Sequence, residues 1–283
     1  MSEPTSFERR QPDTSGPPRP NRLARSMRDI AIAFSRPRLW VFLGWRDFTV
    51  SFDRSHAGLV WSLVQPIVWI SAVYIFLGPA FAEEGRNYLL YLSLGVALFF
   101  YLSTVIAGGS SVFLKNKGII QNVPMPLFVL PLRHAASAAS QLVLHLLIPA
   151  CVFLATSETF SWTMLLALPA LALIVFSAAF VSAGMGLIGA RFGDFQFVVT
   201  ALMRVMMFVT PIFWYPQDRE GAVRAIAATY NPLAHLIDIV RTPLMGELPS
   251  LQNIVGAGLT IGLSIMVGGA IFVFGRRNII RWI

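Results

Sequence analysis

Residues 87–114 read NYLLYLSLGVALFFYLSTVIAGGSSVFL, a run without a single Asp, Glu, Lys or Arg. A helix that crosses the ~30 Å hydrocarbon core of a bilayer needs about 20 mostly apolar residues, and this run is longer than that. A soluble helix of that length turns one face to water and carries charge on it. The run therefore predicts a membrane-spanning helix over about 88–112.

The pattern recurs on both sides. His56 to Ala82 is free of Asp, Glu, Lys and Arg, and a span fits over 59–81. Further spans are expected over 134–157, 162–190, 197–215 and 251–275; the fifth contains Arg204, and the last runs into Arg276-Arg277. Composition agrees. The chain of 283 residues is 55% hydrophobic with 13% charged residues, about half the charged share of a soluble domain, and its mean hydropathy is +0.65. The one cysteine, Cys151, excludes a disulfide scaffold. The expected fold is all-α integral membrane: six transmembrane helices, an N-terminal amphipathic interface helix, and short re-entrant or interfacial helices between spans five and six. Its parts are a disordered cytoplasmic N-terminus (1–20), amphipathic interface and gate helices (21–56) and a spanning domain (57–283).

Charge sets the orientation. The N-terminal segment holds ten Arg and no Lys, and with both ends inside, Lys115, Lys117, Arg133, Arg191, Arg276, Arg277 and Arg281 join it. The opposite face holds Arg86, Arg219, Arg224 and Arg241. The positive-inside rule puts both termini in the cytoplasm. The net charge of +8 then belongs to anionic lipid and helix ends, not to a nucleic-acid partner. Residues 1–20 lack an apolar core and carry no secretory signal.

Before span one, Leu23, Met27, Ile30 and Phe34 recur at helical spacing among Arg22, Arg25 and Arg28; a second amphipathic piece follows Pro37. Neither is long or apolar enough to span, and both suit the cytoplasmic interface. As candidate contacts for a lipid diphosphate we single out Arg38, Arg46 and Arg54; plain head-group anchoring is the other reading. After span two, Lys115, Lys117, Ile119, Ile120, Gln121, Asn122 and Val123 precede Pro124, Pro126 and Pro131, which reads as a proline-bounded docking knob or as a simple loop.

The interior holds little chemistry. Between residues 57 and 216 the acids are Glu83, Glu84, Glu158 and Asp194, all at expected span ends or loops, so no coupling-ion or acidic metal site is predicted. Arg204 sits toward the cytoplasmic half of span five or snorkels there. No Gly-Lys pair occurs, so a phosphate loop is absent. Gly184, Gly186 and Gly189 match a dinucleotide pattern but lie in an apolar run, and we read them, with Gly258 and Gly262, as close helix packing. His134 and His145 read as polar packing groups. Aromatic and amide side chains suit a sliding carbohydrate, which makes Trp61, Gln65 and Trp69 in span one, and Phe208, Phe213, Trp214 and Tyr215 late in span five, candidate channel lining. An interfacial aromatic belt is the competing reading.

The run from Trp45 to Pro66 (W-R-D-F-x-x-x-F-x-x-S-x-x-G-x-x-W-S-L-x-Q-P), the N-x-G-I-I-x-x-V-P-x-P core after span two, Arg191-Phe192-Gly193-Asp194, Thr210-Pro211-Ile212 and the run Asn231–Gly246 (N-P-L-x-H-x-I-D-I-V-R-x-P-L-x-G) together resemble the membrane subunits of type-2 ABC transporters of the polysaccharide and polyol-phosphate exporter family. The resemblance covers about 38–283 and leans to the O-antigen and galactan branch. It implies a homodimer of six-span permease subunits in the bacterial inner membrane with two separate ATPase subunits, which bind the ATP and Mg; this chain holds no cofactor. It also implies a polysaccharide on a polyprenyl diphosphate as substrate, and docking of Ile119–Val123 on the ATPase. Capsule, teichoic acid or small amphiphiles are alternative cargoes. A polyprenyl transferase is disfavoured, because Asp29, Asp47, Asp53 and Asp194 form no cluster in the sequence.

Overall fold

The computed structural model describes residues 22–50, 58, 60–81, 87–156, 158–216 and 222–283. The expected disorder of 1–20 and the candidate Arg54 lie outside the described residues. Those residues form helices and connecting turns, with no strand.

Two helices precede the apolar segments: α1 (Arg22–Phe34) and α2 (Pro37–Val50). Then come α3 (Val60–Phe81), α4 (Tyr88–Ser103), α5 (Val112–Lys115), α6 (Lys117–Asn122), α7 (Val129–His145), α8 (Leu147–Ala155), α9 (Ala167–Arg191), α10 (Phe195–Val209), α11 (Ala222–Tyr230), α12 (Pro232–Leu244), α13 (Leu251–Gly275) and α14 (Ile279–Trp282). Continuous helical paths over Val60–Phe81, Tyr88–Gly108, Val129–Ala155, Trp162–Arg191 and Leu251–Trp282 are long and apolar enough to cross a membrane; α10 is apolar but shorter. The chain is a multi-pass membrane protein.

The interruptions have local causes. Asn87 caps α4 by accepting from the Leu90 amide at 3.0 Å. Beyond Ser103 the path continues as a π-turn, Thr104–Gly108. The α7/α8 join falls where Pro149 offers no N–H to the His145 carbonyl. Arg133, placed in a loop by the sequence, lies within α7 because that helix starts at Val129.

Helix α4 and the second half of α9 form the buried centre. Residues 90–99 of α4 are all buried. Small residues let α9 approach its neighbours closely: a Cβ on Gly184 would meet the Gly268 Cα of α13 at 2.9 Å, and one on Gly189 would run into the Ser110 carbonyl oxygen. This is the close-packing role expected for these glycines. Gly258 and Gly262 do not share it: a Cβ there meets nothing within 4 Å. They sit on an open face of α13, and the tightest glycine contacts of that helix are at Gly256, against the His235 ring, and Gly268, against the Phe180 backbone.

The two N-terminal helices dock at one end of the bundle. In α1 the buried positions are Ser26, Asp29 and Ala33, while Leu23 and Met27 stay exposed. Ser26 donates to the Val273 carbonyl at 3.1 Å, and Asp29 pairs with Arg276 of the last helical path at 2.7 Å. Burial pushes the Asp29 carboxyl above the usual carboxylate range, and Arg276 pulls against that. Helix α2 lies along α7: Gly44 lets the backbones meet, and Asp47 forms a two-pronged ion pair with Arg133.

Candidate functional site

The expected fifth span breaks as a helix at Val209, six residues before Tyr215. Pro211 has no N–H and disfavours helical geometry in the residue before it, and Thr210 is already extended, with ψ 138°. Residues 210–215 are nonetheless all buried. Irregular backbone at this depth is tolerated only when protein satisfies its polar groups.

The satisfaction comes from α4 and α12. The Tyr88 hydroxyl donates to the Phe213 carbonyl at 2.9 Å. The Tyr91 hydroxyl lies 2.9 Å from both the Pro211 and Trp214 carbonyls, with one proton to give. Arg241, 2% exposed, donates to the Pro211 carbonyl at 2.9 Å, pairs with Asp238 one turn earlier in α12, and sits 3.7 Å over the Tyr91 ring. Asn231 caps α12 by accepting from the Leu233 amide and donates to the Thr210 hydroxyl, each at 2.9 Å. His235 joins α12 to α13 through Asn253 at 2.9 Å. Gly95 makes room for all this, because a Cβ there would meet the Arg241 guanidinium and Ile212 at 3.2 Å. Beside the network lies a cavity of about 530 Å³ lined by Tyr91, Tyr215, Asp238, Arg241, Gln252 and Asn253, among others.

The structure splits the seven aromatic and amide candidates. Trp61 and Phe208 are 57% and 61% exposed, and Gln65 is exposed beside them in sequence. Trp69 is half-buried and stacks on Phe213 at 6.4 Å. Phe213, Trp214 and Tyr215 are buried within the protomer, and Tyr215 faces the cavity beside Arg241.

The post-span-two segment is a short projection. Lys115, Lys117, Gln121, Asn122 and Val123 are exposed; Ile119 and Ile120 are half-buried, and Ile120 packs against the core. Arg38 and Arg46 are exposed on α2, near Phe42 and Trp45 on its outer side. Neither cluster contacts the Arg241 network.

Sequence reasoning missed Tyr88, Tyr91, Asp238 and Arg241 as one buried network. The available signal was the i, i+3 pairing of Asp238 with Arg241 in a segment too short to span. Their partners in α4 lie about 150 residues away in the chain, beyond any local pattern. His134 and His145 each sit 3.2 Å from a backbone carbonyl, of Thr104 and Ser62 respectively, as packing groups. No group of three His, Cys, Asp or Glu that would hold a metal occurs among the described residues.

A bundle of long apolar helices with two N-terminal helices docked on it defines a multi-pass helical membrane protein. Residues 38–245 match the family described as ABC-2 type transporter, and the chain belongs to that family. Members are permease subunits whose ATPase is a separate subunit. An O-antigen export system permease protein, RfbA, of Myxococcus xanthus is 22% identical over 203 residues, covering 70% of this chain and 77% of that protein. Two Klebsiella pneumoniae proteins of the same description are 24% and 27% identical, covering 80% and 78% of this chain and 88% and 87% of theirs.

Proposed function

We propose that the chain is the permease of an ATP-driven exporter that moves a lipid-linked polysaccharide, an O-antigen or related cell-wall glycan on a polyprenyl diphosphate, outward across the bacterial inner membrane. The observation that carries the reading is the match to three O-antigen export permeases over 77–88% of their length. The working unit is a homodimer with two ATPase subunits, which bind ATP and Mg. Both termini face the cytoplasm.

In this reading the exposed knob, Lys115 to Val123, docks on the ATPase. The exposed Arg38 and Arg46, with Arg54, meet the diphosphate at the cytoplasmic surface, where a planar guanidinium fork matches phosphate oxygens. Trp61, Gln65, Trp69 and Phe208 form the pathway wall, on which rings stack against apolar sugar faces without holding one pose. The buried Phe213, Trp214 and Tyr215 support that wall. The clamp of Tyr88, Tyr91, Asp238 and Arg241 keeps the pathway end of α10 in one conformation.

The test is reconstitution of the chain with its ATPase in liposomes carrying a lipid-linked polysaccharide. ATP added outside should turn the glycan from accessible to protected against an added glycosidase. Accessibility unchanged by ATP, with the complex intact, would overturn the reading.

A further inference from the structure

Arg204 is not explained by the clamp, the knob or the α2 arginines. It lies in α10, nine residues after Phe195 and five before Val209, so about 14 Å and 8 Å from the two helical ends at 1.5 Å per residue. Val199, Met203 and Met207 form the buried stripe of that helix. Phe197, Ala201, Arg204 and Phe208 fall on the opposite face, and all four are exposed. A cation there meets hydrocarbon, a second protomer or a polar path.

Hydrocarbon is the costly answer, about 2.5–3.5 kcal/mol on the lowest scale for a helix centre. The long apolar helices of a second copy bring no counter-ion. None of the 14 acidic residues falls within α3, α4, α7 to α10 or α13. The nearest in the chain is Asp194, about 15 Å down the helix axis from Arg204 at 1.5 Å per residue. Aromatic rings of a second copy offer a cation–π contact of about 2 kcal/mol when desolvated, less than the several kcal/mol lost by taking a cation out of water. An anion that does not belong to the polypeptide fits. Of the anions that enter a bilayer interior, a lipid phosphate matches the guanidinium fork through paired N–H to oxygen bonds.

We propose that Arg204 is a contact inside the membrane for the phosphate of the lipid carrier in transit, with Phe197 and Phe208 flanking it on the free face of α10. The inference rests on the export reading above and assigns a site within its pathway. A resident phospholipid head group shares the chemistry, and competition by phosphatidylglycerol separates the two sources.

The experiment uses the full chain with its ATPase subunit in phosphatidylcholine nanodiscs and measures binding of a fluorescent polyprenyl diphosphate. Arg204→Gln should weaken binding about tenfold or more, the loss expected for one charge-assisted contact. Arg204→Lys should recover part of that loss, and binding of the neutral polyprenol should not change. Equal binding by Arg204→Gln and wild type would overturn the assignment. So would a parallel loss of the neutral lipid, a loss of dimer in Arg204→Gln, or equal competition by phosphatidylglycerol. If wild type binds no polyprenyl diphosphate at all, the export reading itself falls; if wild type binds and Arg204→Gln binds equally, only the Arg204 assignment falls.

Discussion

Tyr91 and Tyr101 stand on the same helix, and both are buried. The Tyr91 hydroxyl serves the broken backbone of α10, whereas the Tyr101 hydroxyl has no hydrogen-bond partner among the described residues. An unpaired buried hydroxyl costs free energy, and removing the partner of a buried carbonyl costs about 1–3 kcal/mol. Tyr91→Phe should therefore lower the melting temperature of the detergent-purified protein, followed by tryptophan fluorescence. Tyr101→Phe should leave it unchanged or raise it. Arg241→Lys should fail to rescue the clamp. A lysine ammonium replaces the charge toward Asp238 but not the flat stacking on Tyr91 or the fork geometry that reaches Pro211 as well. Arg241→Met leaves Asp238 charged and buried, a situation that costs about 3–5 kcal/mol, and the same melt should show the larger loss.

Helices α1 and α10 show how elements depend on their neighbours. Helix α1 is held by Asp29, whose carboxyl is raised above its ordinary value because burial outweighs the pull of Arg276. A raised pKa means the folded state holds the proton more tightly than the unfolded chain does. Its contribution is fully present below the ordinary carboxylate value and declines as pH rises through the raised one. Mild acidification from neutral pH should therefore not release α1. Protease cleavage at Arg25 and Arg28 should not accelerate as pH falls from neutral toward about 5. Acceleration over that range would show that ion pairing dominates. In α10 the break at Pro211 is a matter of local chemistry, but its burial depends on α4 and α12. Gly95→Val should push the Arg241 guanidinium and Ile212 off their places and lower stability together with export.

The molecule as a whole makes two further demands. With both termini inside, a single cysteine placed at Gln121 should resist a membrane-impermeant maleimide in spheroplasts, and one at Leu248 should react; the exposed Cys151 is first changed to Ser. The reverse pattern would invert the proposed orientation. Gln121→Asp with Val123→Asp should reduce co-purification of the ATPase while the melt of the permease stays unchanged, because both positions are exposed on the knob. Ile120 is a poorer probe, since it packs on the core of its own chain.

The apolar segments and the amphipathic start were legible along the chain, because a bilayer tests each stretch for length and charge locally. The close packing at Gly184 and Gly189 was legible for a similar reason, small residues repeating in an apolar run, but the same rule misassigned Gly258 and Gly262, which face open space within the protomer. The clamp was not legible. Whether Trp214 and Tyr215 line a path or lie behind it, and why Arg241 is tolerated out of water, depends on hydroxyls and carbonyls brought together from α4, α10 and α12. Burial and hydrogen-bond satisfaction are properties of that assembly in space, and no window of sequence contains them.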